Sequence, residues 1–153
     1  MIFAFVAGAI VIAIALVEVG LLQKPPAKTE LDAALERTKA ILLRGDPQAL
    51  KDSCTDAGWK RINKCYDFHL GTQGFRGTFG EFMQECGRAM NSSKPGDVVK
   101  TNLDSRTVVF FFDRSSPEGV TIAFCNEQGR WEIAYLSPGE IEPSAIFANP
   151  PNR

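Results

Sequence analysis

A stretch in the second half of the chain, residues 98–136, constrains the fold more than any other. Its β-branched and aromatic residues recur at every second position, between short groups of turn-forming residues. This alternation is typical of strands that bury one face. We therefore predict four short antiparallel strands with one apolar face. The residues predicted to lie on that inward face are Val108, Phe110, Phe112, Val120, Ile122, Phe124, Trp131, Ile133 and Tyr135.

Helical patterns precede the strands and supply the cover that an apolar sheet face needs. Thr29 is placed to cap a first helix that Gly45 ends, and Asp46-Pro47 is typical of the start of a second helix. Thr78 opens a capping box for a third helix. Residues 59–77 show no clean period and are predicted to be irregular. The buried stripe of the third helix is predicted to be Phe79, Phe82, Met83, Cys86 and Met90.

The N-terminal segment is predicted to span a membrane. Residues 2–22 are apolar except for Glu18, and as a helix they would be roughly 31 Å long, about the hydrocarbon thickness of a bilayer. A cleaved signal peptide has basic residues first and a small-residue cleavage site, and this segment has neither. We therefore predict an uncleaved anchor over residues 1–23, a linker over 24–28 and a globular α+β domain over 29–136.

One face of the predicted anchor carries mostly small residues. Ala4, Gly8, Val11, Ala15 and Glu18 fall at helical steps of four and three, so they form a single seam. Small residues let two helix backbones approach closely. We expect the seam to contact another transmembrane helix, with Glu18 meeting a polar group of that helix. The alternative is that Glu18 only reaches the membrane interface.

Four cysteines, an even number, are compatible with two disulfides. The predicted pairs are Cys86 with Cys125 and Cys54 with Cys65. The second pair requires a helix break near Gly58, because on one continuous helix the two residues would be about 16 Å apart. The alternative is four buried free thiols. With one histidine and no CxxC motif in the chain, no metal site is predicted.

Two features disagree about the side of the membrane on which the domain lies. Lys24 and Lys28 follow the span and nothing basic precedes it, which favours a cytoplasmic domain. A disulfide-bonded domain is instead typical of an oxidising compartment. Long domains are translocated despite flanking charge, so we predict that the globular domain is extracytoplasmic.

The charge of the chain argues against nucleic acid as a partner. Seventeen Lys and Arg residues balance eighteen Asp and Glu, for a net charge of −1, without a basic block. Nucleic-acid-binding proteins concentrate basic residues on one face. The glycine-rich stretch around residues 71–80 lacks the strand and the GK[ST] ending of a phosphate-binding loop, so no cofactor is predicted.

Two short motifs, ALERTKAILLRGDPQALKDSCTDAGW (residues 34–59) and GRWEIAYL (residues 129–136), stand in an order of helices followed by strands. Over residues 29–136 this arrangement resembles the nuclear-transport-factor-2-like, or SnoaL-like, superfamily. The resemblance implies a cone-shaped domain in which a curved sheet wraps around helices and encloses an apolar cavity. Some members are enzymes, such as the ketosteroid isomerases. Many are non-catalytic binding or scaffold domains, including membrane-tethered ones such as a type IV secretion assembly factor.

These observations predict a non-catalytic, membrane-anchored accessory or scaffold subunit of a membrane protein complex. Its partners are the bilayer and other transmembrane subunits, and an extended Pro-rich arm over residues 137–153 adds to the contact. The first alternative is a domain that binds a small apolar ligand in the cone cavity, lined by Phe110, Phe112, Phe124 and Trp131. The third possibility is an enzyme similar to the ketosteroid isomerases. It is disfavoured because Tyr135 is the one polar-tipped residue on the predicted inward face.

Overall fold

Four antiparallel strands and five α-helices form the part of the chain that this computed structural model describes, residues 29–72, 74–103, 105–112 and 119–148. The fold is α+β, as predicted, and the strands form a meander in the order β1-β2-β3-β4. The helices are α1 (Glu30–Arg44), α2 (Pro47–Asp52), α3 (Asp56–Thr72), α4 (Phe79–Ser92) and α5 (Pro143–Ala148). The strands are β1 (Val98–Leu103), β2 (Arg106–Phe111), β3 (Val120–Glu127) and β4 (Arg130–Pro138).

Side-chain caps define the starts of α1 and α4. The Asp32 N–H donates to the Thr29 hydroxyl at 3.2 Å, and the Thr29 N–H donates to the Asp32 carboxylate at 3.1 Å. Thr78 and Glu81 form the same capping box at α4, so the first free N–H groups of both helices are satisfied. Gly45 ends α1 in the left-handed conformation, with φ of 65°, which favours glycine. These helix ends confirm the predictions made from the sequence.

Helices α1 and α4 cover one face of the sheet, which we call the inner face. Phe82, Met83, Cys86 and Met90 of α4 are buried there, as their helical spacing predicts. Burying one large apolar side chain contributes roughly 1.5–3 kcal/mol, so this core is the main source of the domain's stability. The strand residues that complete the inner core are Val109, Phe111, Val120, Ile122, Phe124, Ile133 and Leu136.

Helix α3 lies along the β4 edge of the sheet. The residues before it pair with β4, because the Thr55 N–H donates to the Ile133 carbonyl at 3.0 Å and the Ile133 N–H donates to the Ser53 carbonyl at 2.9 Å. Gly58 allows the close approach: a Cβ at this position would lie 2.9 Å from the Ala134 Cα. Helix α3 therefore covers the β4 edge, and the backbone groups of Ile133 are paired there.

Helix α3 occupies most of the segment that the sequence predicts to be irregular. Its inward residues, Trp59, Ile62, Tyr66 and His69, do follow helical steps of three and four, but only Ile62 and His69 are fully buried. A helix at a sheet edge makes contacts on two sides. Its apolar residues therefore do not form the single wide stripe by which a buried helix is recognised.

Strand β2 turns the opposite set of residues inward from the set predicted. Val109 and Phe111 lie in the inner core, whereas Phe110 faces the other side and Phe112, just after the strand, is 41% exposed. The run 108–112 reads VVFFF. Both alternating sets are apolar, so a period of two does not select the buried face, and a one-residue slip exchanges the two sets.

A β-bulge moves Tyr135 off the predicted inward face. The register shifts between Ala123 and Phe124 of β3, which leaves Ala134 as an extra residue on β4. A bulge reverses the alternation beyond it and increases the local twist. Tyr135 therefore lies on the outer face of the sheet, and Leu136 takes the inner position.

The C-terminal segment differs from the extended arm predicted over residues 137–153. Strand β4 continues to Pro138, and the short helix α5 follows. As far as it is described, the segment folds back and closes part of the outer face. The residues that form this small outer cluster are Val108, Ala123, Tyr135, Ile141, Ile146 and Phe147.

Candidate functional site

The outer face of the sheet carries an exposed apolar patch, which we call the outer patch, formed by Val99, Phe110 and Phe112. Val99 and Phe110 are direct cross-strand partners, and the rings of Phe110 and Phe112 lie 6.3 Å apart. Val99 is 57% and Phe112 41% exposed, and Phe110 between them is half-buried. The outer cluster around Ile146 covers a different part of this face. Contiguous exposed apolar side chains of this kind mark interaction surfaces.

The outer patch adjoins an open edge of the sheet. Among the described strands, β1 pairs only with β2, so its far side presents unpaired backbone groups that can accept another strand. Lys100, next to Val99 on β1, points the other way and forms an ion pair with Asp32 of α1 at 2.8 Å. The two neighbouring residues thus lie on opposite faces of the same edge strand.

A cleft of about 520 Å³ opens at one end of the inner face, between α1, α2 and the β3–β4 hairpin. Phe124 and Trp131, two of the residues predicted to line a ligand cavity, line this cleft. The other two predicted residues, Phe110 and Phe112, belong to the outer patch instead. Further along the inner face the space is filled by buried core side chains such as Phe82.

The rim of the cleft is polar and internally bonded. A guanidinium nitrogen of Arg130 donates to the Asp52 carbonyl at 3.3 Å, and a second nitrogen lies 3.6 Å from the Glu132 carboxylate. Arg37 adds another cation to the lining. The cleft therefore combines apolar walls with a rim of both charges, which suits a small ligand with one polar end.

A second depression, of about 500 Å³, lies between α3, β4 and α5, and we call it the edge groove. The residues contributed by α3 include Arg61, Lys64, Cys65 and Phe68, which fall at i, i+3, i+4 and i+7 and so share one helix face. In the sequence, only this spacing indicates the groove. The spacing places the four residues on one face only if α3 is already known to be a helix. The remaining lining residues include Tyr135, Ser137, Pro138, Ile141, Ala145 and Ile146.

Neutral hydrogen-bond donors lie at the floor of the edge groove. The Cys65 thiol donates to the Ser137 hydroxyl at 3.1 Å, and that hydroxyl donates to the Pro138 carbonyl at 2.8 Å. Burial raises the pKa of Tyr135, against the opposing effects of the Ser137 hydroxyl and the charge of Arg61. Tyr135 is therefore protonated at neutral pH.

All four cysteines are free thiols, so the two predicted disulfides are wrong. Gly58 is helical, and Cys65 lies roughly 14 Å along the axis from the start of α3, which is too far from Cys54 for a disulfide. Cys86 is buried in the inner core, whereas Cys125 alternates to the outer face. Burial raises the pKa of each thiol, at Cys54 to about 12. The thiols are therefore protonated and weakly nucleophilic at neutral pH.

His69 packs against two aromatic rings and also lines the edge groove. Its ring lies 5.8 Å from the ring of Phe82 and 5.9 Å from that of Phe68, and only 9% of the residue is exposed. In the described part of the chain, no group of three or more His, Cys, Asp or Glu side chains is placed to hold a metal ion.

The predicted anchor falls outside the residues that the structure describes, as does its seam of Ala4, Gly8, Val11, Ala15 and Glu18. None of the helices in the described ranges is long and apolar enough to cross a bilayer. Comparisons of the chain with protein-family models, with curated proteins and with solved structures found no match.

Proposed function

We propose that this chain is a non-catalytic, membrane-anchored accessory or scaffold subunit of a membrane protein complex, and that its domain binds a partner protein through the outer patch. The observation that carries the proposal is the contiguous apolar surface of Val99, Phe110 and Phe112 beside an open strand edge. Apolar patches contribute hydrophobic contact area, and an edge strand adds main-chain hydrogen bonds to an incoming chain.

Position-specific crosslinking tests the binding surface. A photoreactive amino acid at Val99 should capture the partner in native membranes, because this side chain is exposed on the outer patch. The matched control is the same group at Lys100, which is exposed on the same strand but faces α1. Equal capture from both positions would contradict a face-specific interface.

Substitution gives a second test of the outer patch. Val99→Glu should release the partner on affinity purification, because it places a charge in an apolar contact. Lys100→Gln changes the adjacent residue and should leave the complex intact. Both variants should stay in the membrane fraction. If Val99→Glu co-purifies with undiminished partners, another surface, such as the anchor seam, carries the interaction.

The proposal includes membership of the nuclear-transport-factor-2-like superfamily and a cone shape. Its support is the order of helices before an antiparallel meander, together with the bulge at Ala134, which increases the twist of the sheet around α1 and α4. An experimental structure with a flat sheet, or with another strand order, would contradict this assignment.

The proposal also includes the N-terminal anchor over residues 1–23. The four cysteines are free thiols, so the argument from disulfides for an extracytoplasmic domain is lost. The signal that remains is Lys24 and Lys28 after the span, which favours a domain on the cytoplasmic side. The full chain should resist alkaline extraction from membranes, and a chain that starts at Lys24 should be released. In sealed vesicles of known orientation, protease added on the cytoplasmic side should digest the domain, and protection would place the domain on the extracytoplasmic side.

A second candidate function, binding of a small apolar ligand, is favoured by the cleft lined by Phe124 and Trp131. Cyclohexanol, which does not absorb where tryptophan does, should change the fluorescence of Trp131 in a Trp59→Phe background. Ala34→Leu adds bulk at the wall of the cleft and should weaken the change. An undiminished response would place the ligand elsewhere.

A further inference from the structure

We infer that the edge groove binds an amphipathic anion, a carboxylate or phosphate head group carried on an apolar chain. The groove lies at the β4 edge of the sheet, opposite the β1 edge that carries the outer patch. This binding site is therefore additional to the proposed scaffold surface and does not depend on it.

The charge of the groove favours an anion. Arg61, Lys64 and His69 all line it, and among the residues that the structure describes no carboxylate does. Glu140 and Glu142 flank Ile141 in sequence, but neither lines the groove. Guanidinium and ammonium groups are the side chains that bind carboxylate and phosphate.

The groove has a polar end and an apolar end. Helix α3 runs parallel to β4, since Gly58 lies beside Ala134 and Cys65 beside Ser137. Arg61 and Phe68 are seven residues apart on α3, so they lie about 10 Å apart along its axis. Arg61 therefore lies at the end near Tyr135, Lys64 lies about midway, close to the position of Ser137, and the Phe68 ring marks the end near Ile141.

The apolar end accounts for an otherwise unexplained exposure. Phe68 is 56% exposed although it lines the same groove as Ile146, which is buried, and Ile141, which is half-buried. An apolar chain laid along the groove would cover this ring. The volume, about 500 Å³, falls in the usual range of roughly 300–1,000 Å³ for small-molecule sites.

The test uses octanoate as the probe and the full chain in nanodiscs of zwitterionic phosphatidylcholine. Methyl NMR signals of Ile141 and Ile146 report occupancy, and empty nanodiscs correct for probe taken up by lipid. Octanoate should shift both signals and bind more tightly than neutral 1-octanol. Lys64→Gln should weaken octanoate binding about two- to fivefold, as expected for one exposed charge contact, and leave 1-octanol binding unchanged.

Two further variants separate the groove from non-specific effects. Lys60→Gln removes an exposed lysine of the same helix that does not line the groove, and it should change neither affinity. Phe68→Ser should weaken the binding of both probes. The inference is overturned if 1-octanol binds as tightly as octanoate, if Lys60→Gln has the effect of Lys64→Gln, or if the methyl signals do not shift.

Two additional experiments identify the source of the anion. Octyl phosphate in place of octanoate shows which head group the cations prefer. Nanodiscs that contain phosphatidylglycerol show whether a membrane lipid occupies the groove, because the Ile141 and Ile146 signals then shift before any probe is added. A shift only with free octanoate or octyl phosphate assigns the groove to a soluble amphiphile.

Discussion

Replacing Phe111 by Ala tests which side of β2 faces the core. Phe111 is 9% exposed and belongs to the inner core, and its neighbour Phe112 is 41% exposed on the outer patch. Truncating a buried Phe costs about 3–5 kcal/mol, a large part of the 5–15 kcal/mol that typically stabilises a domain. Phe112→Ala, the matched control, should cost no more than about 1 kcal/mol because its ring is already largely in water.

Urea unfolding, followed by the fluorescence of Trp59 and Trp131, measures the difference. With a slope of about 2 kcal/mol per M, Phe111→Ala should lower the midpoint by roughly 1.5–2.5 M, and Phe112→Ala by less than about 0.5 M. Equal slopes are required for the comparison. If Phe112→Ala is the more destabilising variant, Phe110 and Phe112 face the core as the alternation alone predicts, and the outer patch does not exist.

Three further predictions concern packing, charge and thiols. Gly58→Ala should destabilise the domain, because the added Cβ would collide with the β4 backbone. Gly71→Ala is the matched control: the space around Gly71 is open, so the substitution should stabilise α3 by about 0.5–1 kcal/mol. Thermal unfolding of the two variants measures the difference in stability. A hydrogen bond from Lys100 and those of the helix cap lower the pKa of Asp32 from 3.8 to about 2. The stability that this carboxylate adds is therefore present above pH 4 and lost as the pH falls towards 2. Lys100→Gln should raise the pKa of Asp32, which an NMR titration measures. In denatured protein that has not been reduced, all four thiols should react with a thiol reagent, and a residual disulfide would contradict the structure. In the folded protein, Cys86 should not react until the domain unfolds.

The elements that follow from local chemistry could be predicted from the sequence. Thr29 and Thr78 satisfy free N–H groups within three residues, and Gly45 adopts a backbone conformation that few other residues tolerate. The strands follow from alternation and turn residues, whose effects are also local. None of these features requires knowledge of a distant contact.

The parts that could not be predicted depend on tertiary contacts. The bulge at Ala134 is created by pairing with β3 and determines the face on which Tyr135 lies. Helix α3 is stabilised from two sides by β4 and the inner core, so its sequence shows no single apolar stripe. The edge groove needs both features at once, since Tyr135 must lie outward and Arg61 must project from a helix beside it.

The two edge strands of the sheet offer different groups to a ligand, and each of the two proposed sites lies at one of these edges. At the β4 edge the backbone is paired with residues 53–55 and covered by α3, so it offers only side chains, which suits a small ligand. At the β1 edge no other described strand pairs with the backbone and Val99 adds apolar surface, which suits a protein partner. Because strand β3 lies between the sites and no side chain belongs to both, their free energies should be additive. Lys64→Gln should therefore leave partner capture unchanged, and Val99→Glu should leave octanoate binding unchanged. Loss of both functions in either variant would mean that the sites are coupled through the sheet.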